Sequence, residues 1–198
     1  MPEYSIIIPS HNGENRIGKA IASVTAQSFR DYEIIVVCDA CTDGTHRVAQ
    51  EHGARAIDVD FHRDGLARNA GISKAQGRWI LFLDDDDWFL HEFVLERLNA
   101  SIGQHNEDML GFSFIWRNRG YTRQNADTCF KMVWGYCWKA SFIRDMHFSS
   151  VAYGADSVFF DDAMKRNPTI VFIDEPMYYY NYMREGSMTW RKERGETQ

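Results

Sequence analysis

The chain has 198 residues, 44% hydrophobic and 14% aromatic, enough for one domain (1–198) with a sizeable core and far from a disordered composition. Its net charge of −6 argues against a nucleic-acid partner, which would meet a basic face. No run reaches the roughly 18 apolar residues that span a bilayer, and the start has no signal-peptide layout, so a cytoplasmic protein without a transmembrane segment is expected.

Residues 4–8 read as a first buried strand, stopped by Pro9, and residues 12–15 as a loop. Ile17, Ala20, Ile21 and Val24 recur at helical spacing. A second strand covers residues 33–38. Thr42 or Asp43 then caps a helix through Glu51, with Gly53 as its stop. A short strand at 54–59 and a helix at 65–76, ending at Gly77, come next. The apolar run 79–83 reads as a strand buried on both faces, and a helix follows from about 90 to 102. The second half is less regular: strands at 109–116, 169–173 and 176–183, and a helix at 156–166.

Strand–helix alternation with these linkers implies βαβ units, a parallel sheet and a Rossmann-like α/β class. Ligands of such sheets bind beyond the carboxyl ends of the strands. Three polar loops leave those ends, at 9–14, 39–45 and 84–87.

The last holds four consecutive aspartates, Asp84 to Asp87. Their mutual repulsion does nothing for the strand, whereas hard carboxylate oxygens suit Mg2+ or Mn2+ carrying a phosphorylated ligand. The plain alternative is an acidic cap on the next helix. If the segment is extended, Asp84 and Asp86 point to one side and Asp85 and Asp87 to the other.

Cys38 and Cys41 form a CxxC. Neither Cys129 nor Cys137 adds ligands at a zinc spacing, and Cys38 ends an apolar strand, so reduced thiols are expected. Arg184, Arg191, Lys192 and Arg194 form a basic tail, fit to touch phosphate or the inner face of a membrane, with a simply solvated end as the plain alternative.

Five segments, taken in order, resemble the family 2 glycosyltransferases of the GT-A fold. They are Ile6-Ile7-Ile8-Pro9-Ser10-His11-Asn12, Ser23 to Phe29, Val37 to Thr45, Ala67-Arg68-Asn69-Ala70-Gly71, and Phe82-Leu83-Asp84-Asp85-Asp86-Asp87-Trp88. The closing segments, residues 176–180 and 186–189, are similar as well. The resemblance covers nearly the whole chain. Two departures stand out: Cys38 replaces the usual first Asp of its segment, and Ala155 replaces a Glu before Asp156.

The resemblance implies an inverting, metal-dependent, non-processive transferase. It would move a sugar from a nucleoside diphosphate sugar, with UDP favoured, to a saccharide or lipid-linked saccharide acceptor. Residues 1–100 would form the donor half and residues 101–198 the acceptor half. Asp86 would hold Mn2+ or Mg2+ with Asp84 nearby, and Asp85 would join them around the donor. Asp39 would accept a hydrogen bond from the base. Pro9, His11, Asn12 and Glu14 would line the nucleotide loop, and Arg68 would reach base or diphosphate. Asn69 reads as a loop brace. Asp156 is the candidate general base, with helix capping as its plain alternative and Asp161 and Asp162 in reserve. A nucleotidyltransferase would show a Gly-rich basic loop after the first strand. A dehydrogenase would show GxGxxG, and a processive synthase QxxRW with membrane helices; none is present. A non-catalytic nucleotide-binding module of the same fold is the alternative that Ala155 and Cys38 keep open.

Overall fold

The computed structural model describes residues 1–103 and 106–195, and its strands join one sheet. The first four strands are β1 (Tyr4–Ser10), β2 (Tyr32–Asp39), β3 (Arg55–Val59) and β4 (Trp79–Phe82). They lie parallel in the order β3-β2-β1-β4. Every residue of β1 and β4 is buried, as unbroken apolar runs require when helices cover both faces. Helices α1 (Ile17–Thr25), α2 (Thr45–Glu51) and α3 (Asp64–Lys74) form the crossovers. α1 buries Ile17, Ala20, Ile21 and Val24, the four positions that its periodicity marks.

Pro9 does not stop β1, which runs on to Ser10. The odd residues of β1 bond toward β4; Ile7, for example, accepts the Leu83 amide. The ladder with β4 ends at Phe82, so the N–H that proline lacks faces a side where pairing has already stopped. Gly53, at φ +85°, ends α2 as expected. The α2 cap is different: Gly44 holds that position, and Asp43 reaches forward to the Thr45 amide at 3.0 Å. α3 stops at Lys74, because Ala75 turns extended two residues before Gly77.

α4 (Val94–Ser101) starts later than its sequence pattern suggests. A two-residue strand, β5 (Trp88–Phe89), comes first and pairs with the last strand. The start of α4 is capped from a distance: buried Gln27 accepts the Leu95 amide at 3.0 Å and donates to the His91 carbonyl at 2.8 Å.

The second half extends the sheet through β6 (Met109–Trp116), β7 (Gly120–Thr122), β8 (Tyr136–Lys139) and β9 (Ile170–Tyr180), in the order β4-β8-β6-β9-β5 with β7 on β6. Pairing here mixes directions: β8 is antiparallel to β4 and β6, while β6 and β9 are parallel. The two strands read at 169–173 and 176–183 are one, with a register shift between Ile173 and Pro176 that takes up the proline. Helices α5 (Ala140–Ile143), α6 (Ala155–Met164) and α7 (Met188–Glu193) complete the described chain. No described helix is long and apolar enough to cross a membrane. All four cysteines are free.

Candidate active site

The parallel strands end on a cleft of about 770 Å3. Its walls come from the β1 and β2 ends, the loop into α3, the aspartate turn after β4, and the end of β9 with the residues just beyond it. Of the residues singled out in the sequence, Pro9, His11, Asn12, Asp39, Arg68, Asp84, Asp85 and Asp86 line it.

Helix α3 positions Arg68. A Cβ on Gly71 would stand 2.4 Å from Ile7 Cγ2, so only glycine lets α3 lie this close to β1. One turn earlier, Arg68 then meets the end of β4. It is 2% exposed and gathers three carboxylates: Asp64, Asp84 at 2.6 Å and Asp156 at 3.5 Å. The Asp64 pairing that spacing offered as an alternative therefore coexists with the cleft position. Arg68 Nε is buried without a hydrogen-bond partner among the described residues. Asn69 braces the wall, exchanging two hydrogen bonds with the Phe148 backbone at 2.8 and 2.9 Å.

The four aspartates form a turn, closed by the Asp87 amide on the Asp84 carbonyl at 3.1 Å. Strand-like alternation therefore fails, and each carboxylate goes its own way. Asp84 meets Arg68. Asp85 takes the Arg16 fork at 2.7 and 2.8 Å and the Ser10 hydroxyl. Asp86 takes Arg184 Nε at 2.6 Å. Asp87, 1% exposed, accepts Tyr178 Oη at 2.6 Å and the Asn181 amide at 2.7 Å. None of them caps α4. Asp85, expected at the nucleotide, chiefly braces the β1 loop. A Cβ on Gly13 would fall 2.7 Å from Asp85 Oδ2, which shows how tightly that loop closes.

Glu14 is not brought to the cleft. Its carboxylate accepts the Gly44 amide at 3.1 Å and pairs with Arg47 at 3.0 Å, clamping the first loop to the second. Helix α1 begins three residues later, which turns Glu14 outward toward α2. Asp39 lines the cleft, yet its carboxylate accepts the amides of Phe61, His62 and Arg63 at 2.6–3.0 Å. These bonds fix the entry into α3 and leave about one of a carboxylate's four acceptor sites for a base. His11 Nδ1 lies 2.8 Å from the Asp39 carbonyl, and its ring stands 6.2 Å from His62.

Asp156 lies in the first turn of α6 and does not cap it; Gly154, at φ +77°, does. Its side chain keeps 23% exposure and reaches the cleft only through its 3.5 Å pair with Arg68, since Asp156 itself does not line the wall. Burial raises its pKa against the pull of Arg68. Burial likewise pushes Asp84 up to about 8, helped by Asp64, Asp156 and Asp86 and opposed by Arg68. Asp161 and Asp162 face outward to Lys131 and Lys165.

A divalent cation fits this donor set. Asp84 and Asp86 each give one oxygen to an arginine, and the second oxygen of each has no hydrogen-bond partner among the described residues. Hard oxygens in surplus negative charge suit Mg2+ or Mn2+.

Sequence reasoning missed Arg16, Tyr178 and Asn181, and left Arg184 as part of a tail. Their partners lie 69 to 98 residues away, so no local pattern marks them. Arg191 also lines the cleft, so the basic tail folds back over it.

A family model described as glycosyl transferase family 2 matches residues 5–179. The chain belongs to this family. Among family relatives, it is 24% identical to glycosyltransferase GlyA of Streptococcus pneumoniae, over 94% of this chain and 31% of GlyA. It is 28% identical to the poly(ribitol-phosphate) beta-N-acetylglucosaminyltransferase TarS of Staphylococcus aureus, over 56% of this chain and 20% of TarS. The TarS crystal structure in complex with UDP-GlcNAc matches with a TM-score of 0.85 at 22% identity, over 95% of this chain and 60% of that one. Mannosyltransferase PcManGT from Pyrobaculum calidifontis, in complex with GDP-Man and Mn2+, matches with a TM-score of 0.76 at 15% identity, over 98% of this chain and 61% of that one. Likeness at these identities shows the shared GT-A fold. The chain spans less than two thirds of each of these relatives.

Proposed function

We propose that this chain is an inverting, cation-dependent, non-processive glycosyltransferase that uses a nucleoside diphosphate sugar, with UDP-sugars first. The observation that carries the reading is buried Arg68, its Nε unpartnered, set against Asp84 in a cleft that Asp86 also lines beyond the parallel strand ends. UDP is favoured because Asp39 keeps an acceptor for a uracil N–H, and because TarS, its fold relative, was crystallised with UDP-GlcNAc. Residues 1–100 would hold the donor and residues 101–198 the acceptor. Trp116, Tyr180 and Tyr182, whose rings cluster within 5.0–5.6 Å of one another, offer an aromatic wall for a saccharide, free or lipid-linked. The cytoplasm is the proposed location, with the basic tail as the element nearest a membrane face.

Asp86 and Asp84 would hold Mn2+ or Mg2+, which supplies Lewis-acid neutralisation of the diphosphate. Pro9, His11, Asn12 and Asp39 would seat the base and ribose. Arg68, at the cleft wall, would offset the charge of the diphosphate. Asp156 would take the acceptor hydroxyl's proton as that oxygen bonds to the anomeric carbon. The bond to the diphosphate breaks with its electron pair leaving on the phosphate oxygen. A raised pKa suits Asp156 to this role.

The test is a panel of nucleoside diphosphate sugars assayed with Mn2+, Mg2+ or chelator. One donor should bind and turn over with metal, and Asp86→Ala should abolish both. Asp156→Asn should keep binding and lose at least about a hundredfold in transfer. Binding without turnover of any donor would favour a non-catalytic module; no metal-dependent binding would end the donor-site reading.

A further inference from the structure

Behind the nucleotide loop, on the opposite side of the β2 end, lies a second cluster of ligand-type side chains. Cys38 is the penultimate residue of β2, and its register partner on β3 is Asp58. Partners on neighbouring strands project to the same face. Helix α2 packs on β3 and brings His46 to this place, with Nδ1 2.8 Å from Asp58 Oδ1. One ligand atom from each of Cys38, His46 and Asp58 lies within 4.8 Å of the other two. Ligands of a tetrahedral zinc stand roughly 3.3–3.8 Å apart, so a small adjustment, which opens the 2.8 Å His46–Asp58 pair, completes the set.

We propose that Cys38, His46 and Asp58 form a zinc-type metal site, separate from the aspartate turn. The sulfur and imidazole donors select a borderline-soft ion such as Zn2+ rather than Mg2+ or Mn2+. The sequence spacing hides the site, since the CxxC has no second pair of ligands along the chain. The fold supplies them from a helix and an edge strand. Cys38 is 1% exposed, whereas the His46 and Asp58 side chains keep 36% and 68%, so the ion enters from their side. On binding, the Cys38 thiol releases one proton to solvent and its sulfur bonds the metal. Neutral His46 carries its proton on Nε2 and binds through Nδ1, and the carboxylate of Asp58 binds as it stands. Water takes the fourth position. Cys41 lies beside Cys38, and its Sγ is held at 3.4 Å by the Asn12 amide and the Ser10 carbonyl, which places it behind the ligand sulfur. The ion would pin the start of α2 to the sheet edge beneath the Asp39–Thr45 segment.

The test uses the whole chain, stripped with chelator and titrated with Co2+. One equivalent should give a thiolate-to-cobalt charge-transfer band with tetrahedral d–d bands, and Zn2+ should displace it. Cys38→Ser should abolish the band. His46→Ala, at a half-exposed position that tolerates truncation, should weaken binding at least about tenfold. Asp86→Ala should leave it unchanged, which keeps this result independent of the donor site. Absence of a thiolate band, full-strength binding in His46→Ala, or a band that survives Cys38→Ser would each overturn the proposal.

Discussion

Arg68→Met removes the one buried cation that three carboxylates share while preserving side-chain length. Breaking a buried ion pair from one side typically costs about 3–5 kcal/mol, because it leaves charge uncompensated. Here Asp64, Asp84 and Asp156 keep 35%, 28% and 23% exposure, so water relieves part of that penalty. The expected loss is therefore near the lower end, about 3 kcal/mol. For a domain of this size that lowers the melting temperature by about 6–12 °C. Mn2+ should restore part of the loss, since a cation on Asp84 and Asp86 replaces some of the missing charge. Arg68→Lys should fall between, keeping the charge but losing the fork that reaches Asp64 and Asp84 together. Calorimetric melts with chelator and with Mn2+ read both effects. A melting temperature for Arg68→Met within about 2 °C of the parent would refute the reasoning, because the cluster would then not depend on this side chain.

Two further outcomes follow from the same charges. Arg184→Ala frees an oxygen of Asp86 from a 2.6 Å pair whose side chains are 28% and 16% exposed. Such a pair contributes up to about 1 kcal/mol, so calorimetric Mn2+ affinity should rise by up to about fivefold; a fall would show that Arg184 supports the cation site instead. The second outcome concerns pH. Burial raises the folded-state pKa of Asp84, to about 8, and also those of Asp85 and Asp87. Between about 4 and about 8 the folded chain thus holds protons that the unfolded chain has lost, and cation-free stability should fall as pH rises through that window. Urea melts in chelator at about pH 5 and about pH 8 check the sign, and Mn2+ should flatten the slope; a rise in stability would contradict it.

The elements that sequence made plain are those whose burial is one-dimensional. Residues 4–8 and 79–83 are apolar runs covered on both faces, and Ile17, Ala20, Ile21 and Val24 mark one helical stripe. Residues 133–138 were opaque. Trp134 is buried within a 3-10 turn, and Tyr136 and Trp138 on the short strand that follows it, so the run has neither the period nor the length of a strand. That segment nevertheless joins the parallel half of the sheet to the mixed half. Similarly, Asp174, Glu175 and Pro176 break the pattern of β9, although the strand continues through a register shift. Within the site, residue types were legible and directions were not. Asp84, Asp85 and Asp86 line the cleft and Asp87 does not, and the turn that separates the four side chains depends on Tyr178 and Asn181 far along the chain.

That turn explains why four adjacent aspartates are tolerated. Asp84 ties the strand end to α3, Asp85 to the loop before α1, Asp86 to the segment after β9, and Asp87 to β9 itself. With Asp64 and Asp156 the cluster holds six carboxylates and three arginines, Arg16, Arg68 and Arg184, which pair with every carboxylate but Asp87. If all were ionised the cluster would carry three surplus negative charges, in surroundings where screening by water is weak. Raised pKa values on Asp84, Asp85, Asp87 and Asp156 are the protein's own relief of that surplus. A nucleoside diphosphate entering the same cleft would add negative charge and make the surplus worse. Arg63 and Arg191 at the cleft wall offset part of it, and a divalent cation shared by Asp84, Asp86 and the diphosphate would remove most of the remainder. The proposed metal dependence of donor binding would then be the electrostatic counterpart of building the strand end from carboxylates.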